Sequence, residues 1–431
     1  MIALTISAAI FFGAAPAGED GLPLAVRVTQ MVRRLEAREL SERNRAEREL
    51  TELGVEILPL LPRIDERTPA EVAQRLARVQ QKLLLEQATA DAEPTKVTLK
   101  AAGAPLSEIL ATIAKQTGNP VSDHRAAFGE RQTDPPVTVD FDKTQFWPAL
   151  DRVLDQTGLT LYPFTGRRGA FVIARAADAL PRASHASYSG VFRLSPVRFE
   201  AVRDLRSQRE QSLKFFFEVD WEPRLQPIAI MQPLARVSAT ADDGEPIAVS
   251  NAEAQSEALI REGISAAELE IPLRLPPRSV ARIRTLKGQL SALVPGPRHE
   301  FHFPSLPVAA ASGTTRRVEQ RQAGATVAID SLRKNQDVWE ASLRVKFDAP
   351  ANALESHRGW ILENPAVFLA ADGRSFEPGG FEQTRQARDE VGIKYFFDLD
   401  QDPTKLTFVY RTPVTILQMN FDYEFRDLEL P

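Results

Sequence analysis

Two stretches of the chain end in nearly the same letters, "LATIAKQTGNP" at 110–120 and "LDRVLDQTGLT" at 150–160. Gly118 and Gly158 close the two copies, 40 positions apart. A repeat of this length is one supersecondary unit written twice, and a single strand pair with one helix has too little surface to bury alone. The copies therefore have to share a core. Val97-Thr98-Leu99 answers Val137-Thr138-Val139 as a short alternating strand. Leu106, Ile109, Leu110 and Ile113 answer Phe146, Ala149, Leu150 and Val153 at helical spacing, and a glycine stops each helix. "RGAFVIARA" adds a last strand near Ala170–Ala174. The order β-α-β, β-α-β-β predicts a small α+β sandwich over 94–176, with two helices on one face of a sheet.

The chain before this repeat reads as helix. Leu24, Val28, Met31, Leu35, Leu50, Leu53, Ile57 and Leu61 follow helical spacing, with charged residues on the other face. Gly54 ends one helix, and Pro59 punctuates the next. A further helix is predicted from about Pro69 to Gln87.

Beyond 176 the period changes from helical to alternating. "ADALPRASHASYSG", Ala177 to Gly190, is rich in Ala, Ser and Pro and reads as a linker over 177–189. In "SLKFFFEVDWEP" the residues Leu213, Phe215, Phe217, Val219 and Trp221 fall on one face. Leu343, Val345 and Phe347 repeat the pattern, as do Ile393, Tyr395, Phe397 and Leu399. A second duplication shows here. Leu213 is followed 30 positions on by Asp243-Gly244, and Leu343 is followed 29 positions on by Asp372-Gly373; both pairs are hairpin-turn chemistry. The expectation is two tandem antiparallel β-sandwiches at 190–308 and 314–431, immunoglobulin-like in architecture but lacking the Cys…Trp…Cys mark, with "SLPVAAASGTT" as their joint.

The repeat "VTLKAAGAPLSEILATIAKQTGNPV" and "VTVDFDKTQFWPALDRVLDQTGLTLY" resembles the short N-terminal (STN-like) domain of secretins and TonB-dependent transducers. The likeness covers about 94–176, roughly a fifth of the chain, and departs from a minimal version at the insert "DHRAAFGERQTDPP". No secretin channel or outer-membrane barrel pattern follows, so the resemblance implies a fold, an exported location and a protein-docking habit, and not pore formation. The segment 22–92 resembles a single HEAT-like helical pair. The arrangement as a whole resembles exported multidomain proteins of planctomycete-type bacteria. The fold class expected is thus multidomain α+β: N-terminal helices, a βαβ-βαββ STN-like domain, then two sandwiches.

The first residues bear on location. An apolar run from Ile2 to Phe12 precedes Ala15-Pro16-Ala17, a small-x-small pattern, so 1–17 reads as a secretory signal peptide. No Lys or Arg precedes the run. The competing reading is a buried N-terminal helix. No other segment has the roughly 18 continuous apolar residues of a membrane helix. The net charge of −5 over 431 residues argues against a nucleic-acid partner. Absence of Cys excludes disulfides, thiolate metal sites and Cys nucleophiles.

Motifs with chemistry are sparse. His299 and His302 lie three apart on a predicted strand, hence on opposite faces, without an acid at metal spacing. Asp398, Asp400 and Asp402 in "DLDQDP" mimic the start of a calcium loop, but Pro403 and Val409 occupy its glycine and glutamate positions. The plainer reading makes Asp398 and Asp400 the outward residues of a strand and Asp402-Pro403 its turn. Glu218 with Asp220 or Glu222 could serve as paired glycosidase carboxylates, or simply as a wet strand face. Ser184 and His185 sit side by side in the linker, without a Gly-x-Ser-x-Gly elbow. His124 and His357 stand alone. Trp147, Trp221 and Trp339 read as packing residues, while Trp360, near Arg358 and Asn364, is the aromatic best placed for a sugar or protein surface. The expectation is no catalytic residue, no cofactor and no metal. The chain is expected to be a non-catalytic exported scaffold in the periplasm or cell envelope, docking another envelope protein. The alternative is an exported hydrolase or glycan-binding protein using a sandwich surface.

Overall fold

The structure is a computed structural model that describes residues 22–62, 64, 68–204, 206, 211–260, 263–308 and 317–431. The predicted signal peptide at 1–17, and all but the start of the joint between the sandwiches, lie outside the described residues. The chain divides into two compact units, Met1–Glu86 and Gln87–Pro431.

The first unit is helical. α1 (Leu24–Arg34), α2 (Leu40–Glu52) and α3 (Ala70–Asp91), which runs on into the second unit, bury Val28, Met31, Leu35, Leu50, Leu76 and Leu83 in one core. Gly54 ends α2 with a positive φ of 81°, and Val55–Leu60 forms a 3-10 turn in place of a full helix, because Pro59 removes a backbone donor. Arg75 and Arg78 both reach Glu47, at 2.6 and 2.7 Å, and tie α3 to α2. These guanidiniums hold the Glu47 carboxyl below its usual range.

The second unit is mixed α+β and mostly antiparallel strand. Both copies of the 40-residue repeat fold as strand–helix–strand. They comprise β1 (Lys96–Pro105), α4 (Leu106–Thr117), β2 (Val121–Asp123), β3 (Pro136–Gln145), α5 (Phe146–Thr157), β4 (Leu159–Leu161) and β5 (Ala170–Ala174). Gly118 and Gly158 take the left-handed conformation at φ 68° that ends a helix without a Cβ clash. The predicted single sheet with both helices on one face is corrected here. β1 pairs with β3 in one sheet, and β2-β5-β4 forms another, with β2 parallel to β5. A single core holds Val97, Val137 and Phe141 from the first sheet, Leu159 and Val172 from the second, and Ile109, Ile113, Leu150 and Val153 from the helices. Each copy's strands belong to different sheets, and the helices bury apolar residues toward both.

Next come β6 (Ser187–Ser189), β7 (Phe192–Arg203), β8 (Gln211–Trp221), β9 (Ala229–Pro233), β10 (Ser238–Ala241), β11 (Pro246–Ile247), β12 (Gln255–Leu259), β13 (Ala266–Leu273) and β14 (Arg282–Pro295). They make two facing sheets, β13-β8-β7-β6 and β11-β10-β14-β9-β12. The remaining strands are β15 (Arg298–Pro304), β16 (Val318–Gln322), β17 (Ala325–Asn335), β18 (Val338–Phe347), β19 (Ala366–Leu369), β20 (Ser375–Phe376), β21 (Gly380–Gln386), β22 (Glu390–Phe397), β23 (Thr407–Pro413) and β24 (Ile416–Glu429). The Asp-Gly pairs stand where the duplication put them, Gly244 turning β10 into β11 and Gly373 turning β19 into β20 with φ of 92° and 88°.

The two sandwiches are not consecutive blocks of chain. β15, placed by sequence in the first, pairs with β23 from Arg298↔Pro413 to Pro304↔Thr407. β24, placed by sequence in the second, pairs with β14 from Arg282↔Glu429 to Pro295↔Ile416. Each sandwich thus receives its strand from the other. The cause lies in the connectors. Pro295-Gly296-Pro297 carries two prolines, whose fixed φ does not suit a tight hairpin of β15 onto β14, and it passes the link Val414-Thr415, where Gly296 N–H donates to the Thr415 carbonyl at 2.9 Å. A Cβ on Gly296 would lie 3.3 Å from the Ala88 Cβ and from the Thr415 oxygen. The exchanged β24 fills the first core with aromatic rings. Phe421 stacks on Phe192 at 4.0 Å, Tyr423 on Phe217 at 5.4 Å, and Phe425 meets Phe215 edge-on.

Candidate functional site

The predicted linker is exposed at 177–181 and 183–185, and it is fastened to its surroundings at a few points. The backbone N–H groups of Arg182 and Ala183 donate to the Asp155 carboxylate, and Ser187–Ser189 forms β6. Arg182 then turns inward to Asp151 of α5. Asp151 is fully buried and accepts from Arg182 Nε at 2.7 Å, Arg193 Nε at 2.6 Å and the Tyr188 hydroxyl at 2.8 Å. Arg193 passes on to Asp220 at 2.9 Å. Burial pushes the Asp151 carboxyl up, but the two guanidiniums outweigh it and hold the group below its usual range. A second buried carboxylate, Glu222, accepts from Thr95 N–H and Oγ1, Asn119 Nδ2 and Arg224 Nε between 2.8 and 3.0 Å. Trp147 Nε1 donates to the Val191 carbonyl at 3.0 Å. These bonds join the repeat module to the first sandwich.

A cleft of about 580 Å³ opens beside this charge network. The held segment supplies Leu180, Pro181, Arg182 and His185; β7 supplies Arg193, Ser195 and Val197 to Phe199; β8 supplies Phe215 and Glu218; and exchanged β24 supplies Asp427, Leu428 and Glu429. A β-bulge between Pro196 and Arg198 sets Val197 outward, 48% exposed, and Leu180 faces solvent at 66%. Glu218 stands on the polar face of β8, opposite Ser195 on β7 and Glu268 on β13. Burial, and then the negative charge of Asp220, pushes its carboxyl up to about 7, although Arg182 and Arg193 oppose the shift. Among the described residues no side-chain hydrogen bond or ion pair engages the carboxylates of Glu218, Asp427 or Glu429.

The structure sorts the sequence candidates sharply. Of Glu218, Asp220 and Glu222, only Glu218 faces the cleft; the other two are committed to Arg193 and to the Thr95–Asn119–Arg224 cluster. His185 lines the same cleft, and Ser184 beside it is exposed with no part in the lining. His302 bonds Glu300 at 2.8 Å on β15, while burial holds the His299 imidazole below its usual value. β22 ends at Phe397, so Asp398 and Asp400 lie past the strand, correcting the outward-strand reading. Asp402 caps the turn by accepting from Thr404 N–H at 2.9 Å. Trp360 is anchored, its Nε1 donating to the Ala353 carbonyl at 2.7 Å. Arg358 binds Glu257 at 2.7 Å, and buried Asn364 donates to Tyr410 and Thr412, so neither frames a sugar platform with Trp360. Among the described residues no group of three or more His, Cys, Asp or Glu is arranged to hold a metal ion, and no helix is long and apolar enough to cross a membrane.

Sequence reading missed Asp151, Arg182 and Arg193. Asp151 was the one detectable signal, an acid on the apolar side of an amphipathic helix at a position otherwise filled by core residues. No protein-family model matches the chain, and no curated protein matches it either.

Proposed function

We propose that the chain is a non-catalytic, exported envelope protein that binds other proteins, a rigid docking platform in the periplasm or cell envelope. The observation that carries this reading is the way the second unit is fastened. Buried charges join the repeat module to the first sandwich, and strands are exchanged between the sandwiches, so the cleft walls come from three separate stretches of chain held in fixed register. Preorganisation of that kind lowers the ordering cost of binding a partner. The repeat module is read as STN-like on its two glycine-capped strand–helix–strand copies, and the sandwiches as immunoglobulin-like on their facing antiparallel sheets. The near-neutral charge favours a protein partner over nucleic acid.

A second reading, an exported hydrolase or glycan-binding protein, draws on Glu218. A carboxyl with a value of about 7 in a cleft suits a general acid near neutral pH. The two readings separate in cells and in vitro. Photo-crosslinkers placed at Val197 and on the free edge of β1 should trap a defined protein partner in intact cells. Turnover of a glycan or peptide by the purified chain, lost in Glu218→Gln, would replace the docking role with the enzymatic one.

A further inference from the structure

The cleft's charges are divided unevenly. Its cations are already committed: Arg182 to Asp151, Arg193 to Asp151 and Asp220, and Arg198 to Glu200 and Glu268. Its anions Glu218, Asp427 and Glu429 have no such partner among the described residues. The site therefore presents unpaired negative charge, although it is lined by as many arginines as carboxylates. Around that charge lie apolar surfaces, the exposed Leu180 and Val197 at the lip and Phe199 and Leu428 within. Arg182 adds an independent sign of an occupant. Its side chain is only 9% exposed, and its Nη2 has no hydrogen-bond partner in the described structure. An unpaired buried N–H is destabilising, and an acceptor brought by a ligand relieves it.

We propose that this cleft binds an extended peptide segment of a partner protein in which a lysine or arginine neighbours an apolar side chain, the cation meeting Glu218 and Asp427 and a peptide carbonyl approaching Arg182. The assignment rests on the protein-binding reading above and names its ligand. A polyanion is repelled by the free carboxylates. A glycan lacks the flat exposed aromatic face it stacks on, because Phe215 is buried and Phe199 half-buried.

The charged and titratable groups around Glu218 are Asp220 on its own strand, Arg193 on β7, Glu268 on β13, Arg182 and His185 from the held segment, and Asp427 and Glu429 on β24. Glu218 ionises as pH rises through about 7, so it attracts a cation more strongly on the alkaline side. The test is fluorescence anisotropy on the full chain with three probes: a blocked, labelled peptide alternating leucine and lysine, its leucine–glutamate counterpart, and an N-acetylglucosamine oligosaccharide. The leucine–lysine peptide should bind saturably, the other two should not, and Glu218→Gln with Asp427→Asn should weaken binding about tenfold or more. Affinity should strengthen between about pH 6 and about pH 8, a step lost in Glu218→Gln and kept in His185→Gln. These variants leave the apolar core untouched, and a parent-like circular dichroism spectrum with a single cooperative melt verifies the fold. Equal binding of the two peptides, binding of the oligosaccharide in their place, or an unaltered Kd in the double variant overturns the assignment. If the cleft fails while crosslinkers on β1 still trap a protein, the docking reading stands on another surface; if neither surface traps one, both fall.

Discussion

The repeat module and the paired sandwiches both arise from duplicated stretches of chain, but the copies are joined in opposite ways. In the module the copies stay adjacent and pool their helices in one core. In the sandwiches each copy keeps its Asp-Gly hairpin and its central strand, and gives away the strand that follows β14 or β23. Pooling makes one domain of two weak units. Exchange makes two domains depend on one another, so neither sandwich closes without chain from the other. The cleft is a product of exchange, since Asp427, Leu428 and Glu429 enter the first sandwich on β24.

The largest expected effect separates the two kinds of joining. Ending the chain at Pro413 removes β24, opens the first sandwich core and bares the edge of β14 that β24 covers along its whole length; proteolysis and near-UV circular dichroism should show that sandwich unfolded. Consecutive sandwiches would lose only the second. Ile109→Asp should collapse the repeat module, since it places an unpaired charge in a fully packed site, while β14–β24 amides stay protected from hydrogen exchange. Asp151→Asn should cost about 3–5 kcal/mol by leaving Arg182 and Arg193 short of their shared carboxylate, and should speed cleavage within residues 177–189 relative to the parent chain.

The smallest effects are opposite in sign. Asp151 has a depressed value, so its contribution is present above the unfolded carboxylate range and is lost as pH falls through the folded value. Glu218 is raised, so the folded chain binds its proton more tightly than the unfolded chain does. That contribution is complete below about 4.5 and disappears as pH rises through about 7. Glu218→Gln should therefore be more stable than the parent at about pH 8, by about 3 kcal/mol at most, and match it near about pH 4. A melt difference of the same size at both pH values would remove ionisation as the cause.

Legibility in the sequence followed distance along the chain. The glycine-capped helices, the alternating strands and both Asp-Gly turns are local, and each was readable from period and turn chemistry. Strand partners are not local. β15 and β24 alternate as any half-buried strand does, and the pattern is the same whichever neighbour accepts it. The one available sign was Pro295-Gly296-Pro297, a connector unsuited to a two-residue hairpin. The cleft was hidden for the same reason. Glu218, Asp220 and Glu222 look alike on paper, and only the arrival of Arg193, Thr95 and Asn119 from distant segments leaves Glu218 free.

Engineered disulfides test the strand exchange most directly, because the chain has no cysteine of its own. Ser291 and Asn420 face each other across β14 and β24, and directly opposed ladder positions lie within bridging distance. Under mild oxidation the Ser291→Cys, Asn420→Cys chain should form one intramolecular bond, seen as a reducible mobility shift and a single linked peptide by mass spectrometry. A pair at Leu293 and His299, placed for β14 folding back on β15, should stay reduced. Bridging of the second pair with the first left as free thiols would contradict the exchange, and with it the origin of the cleft.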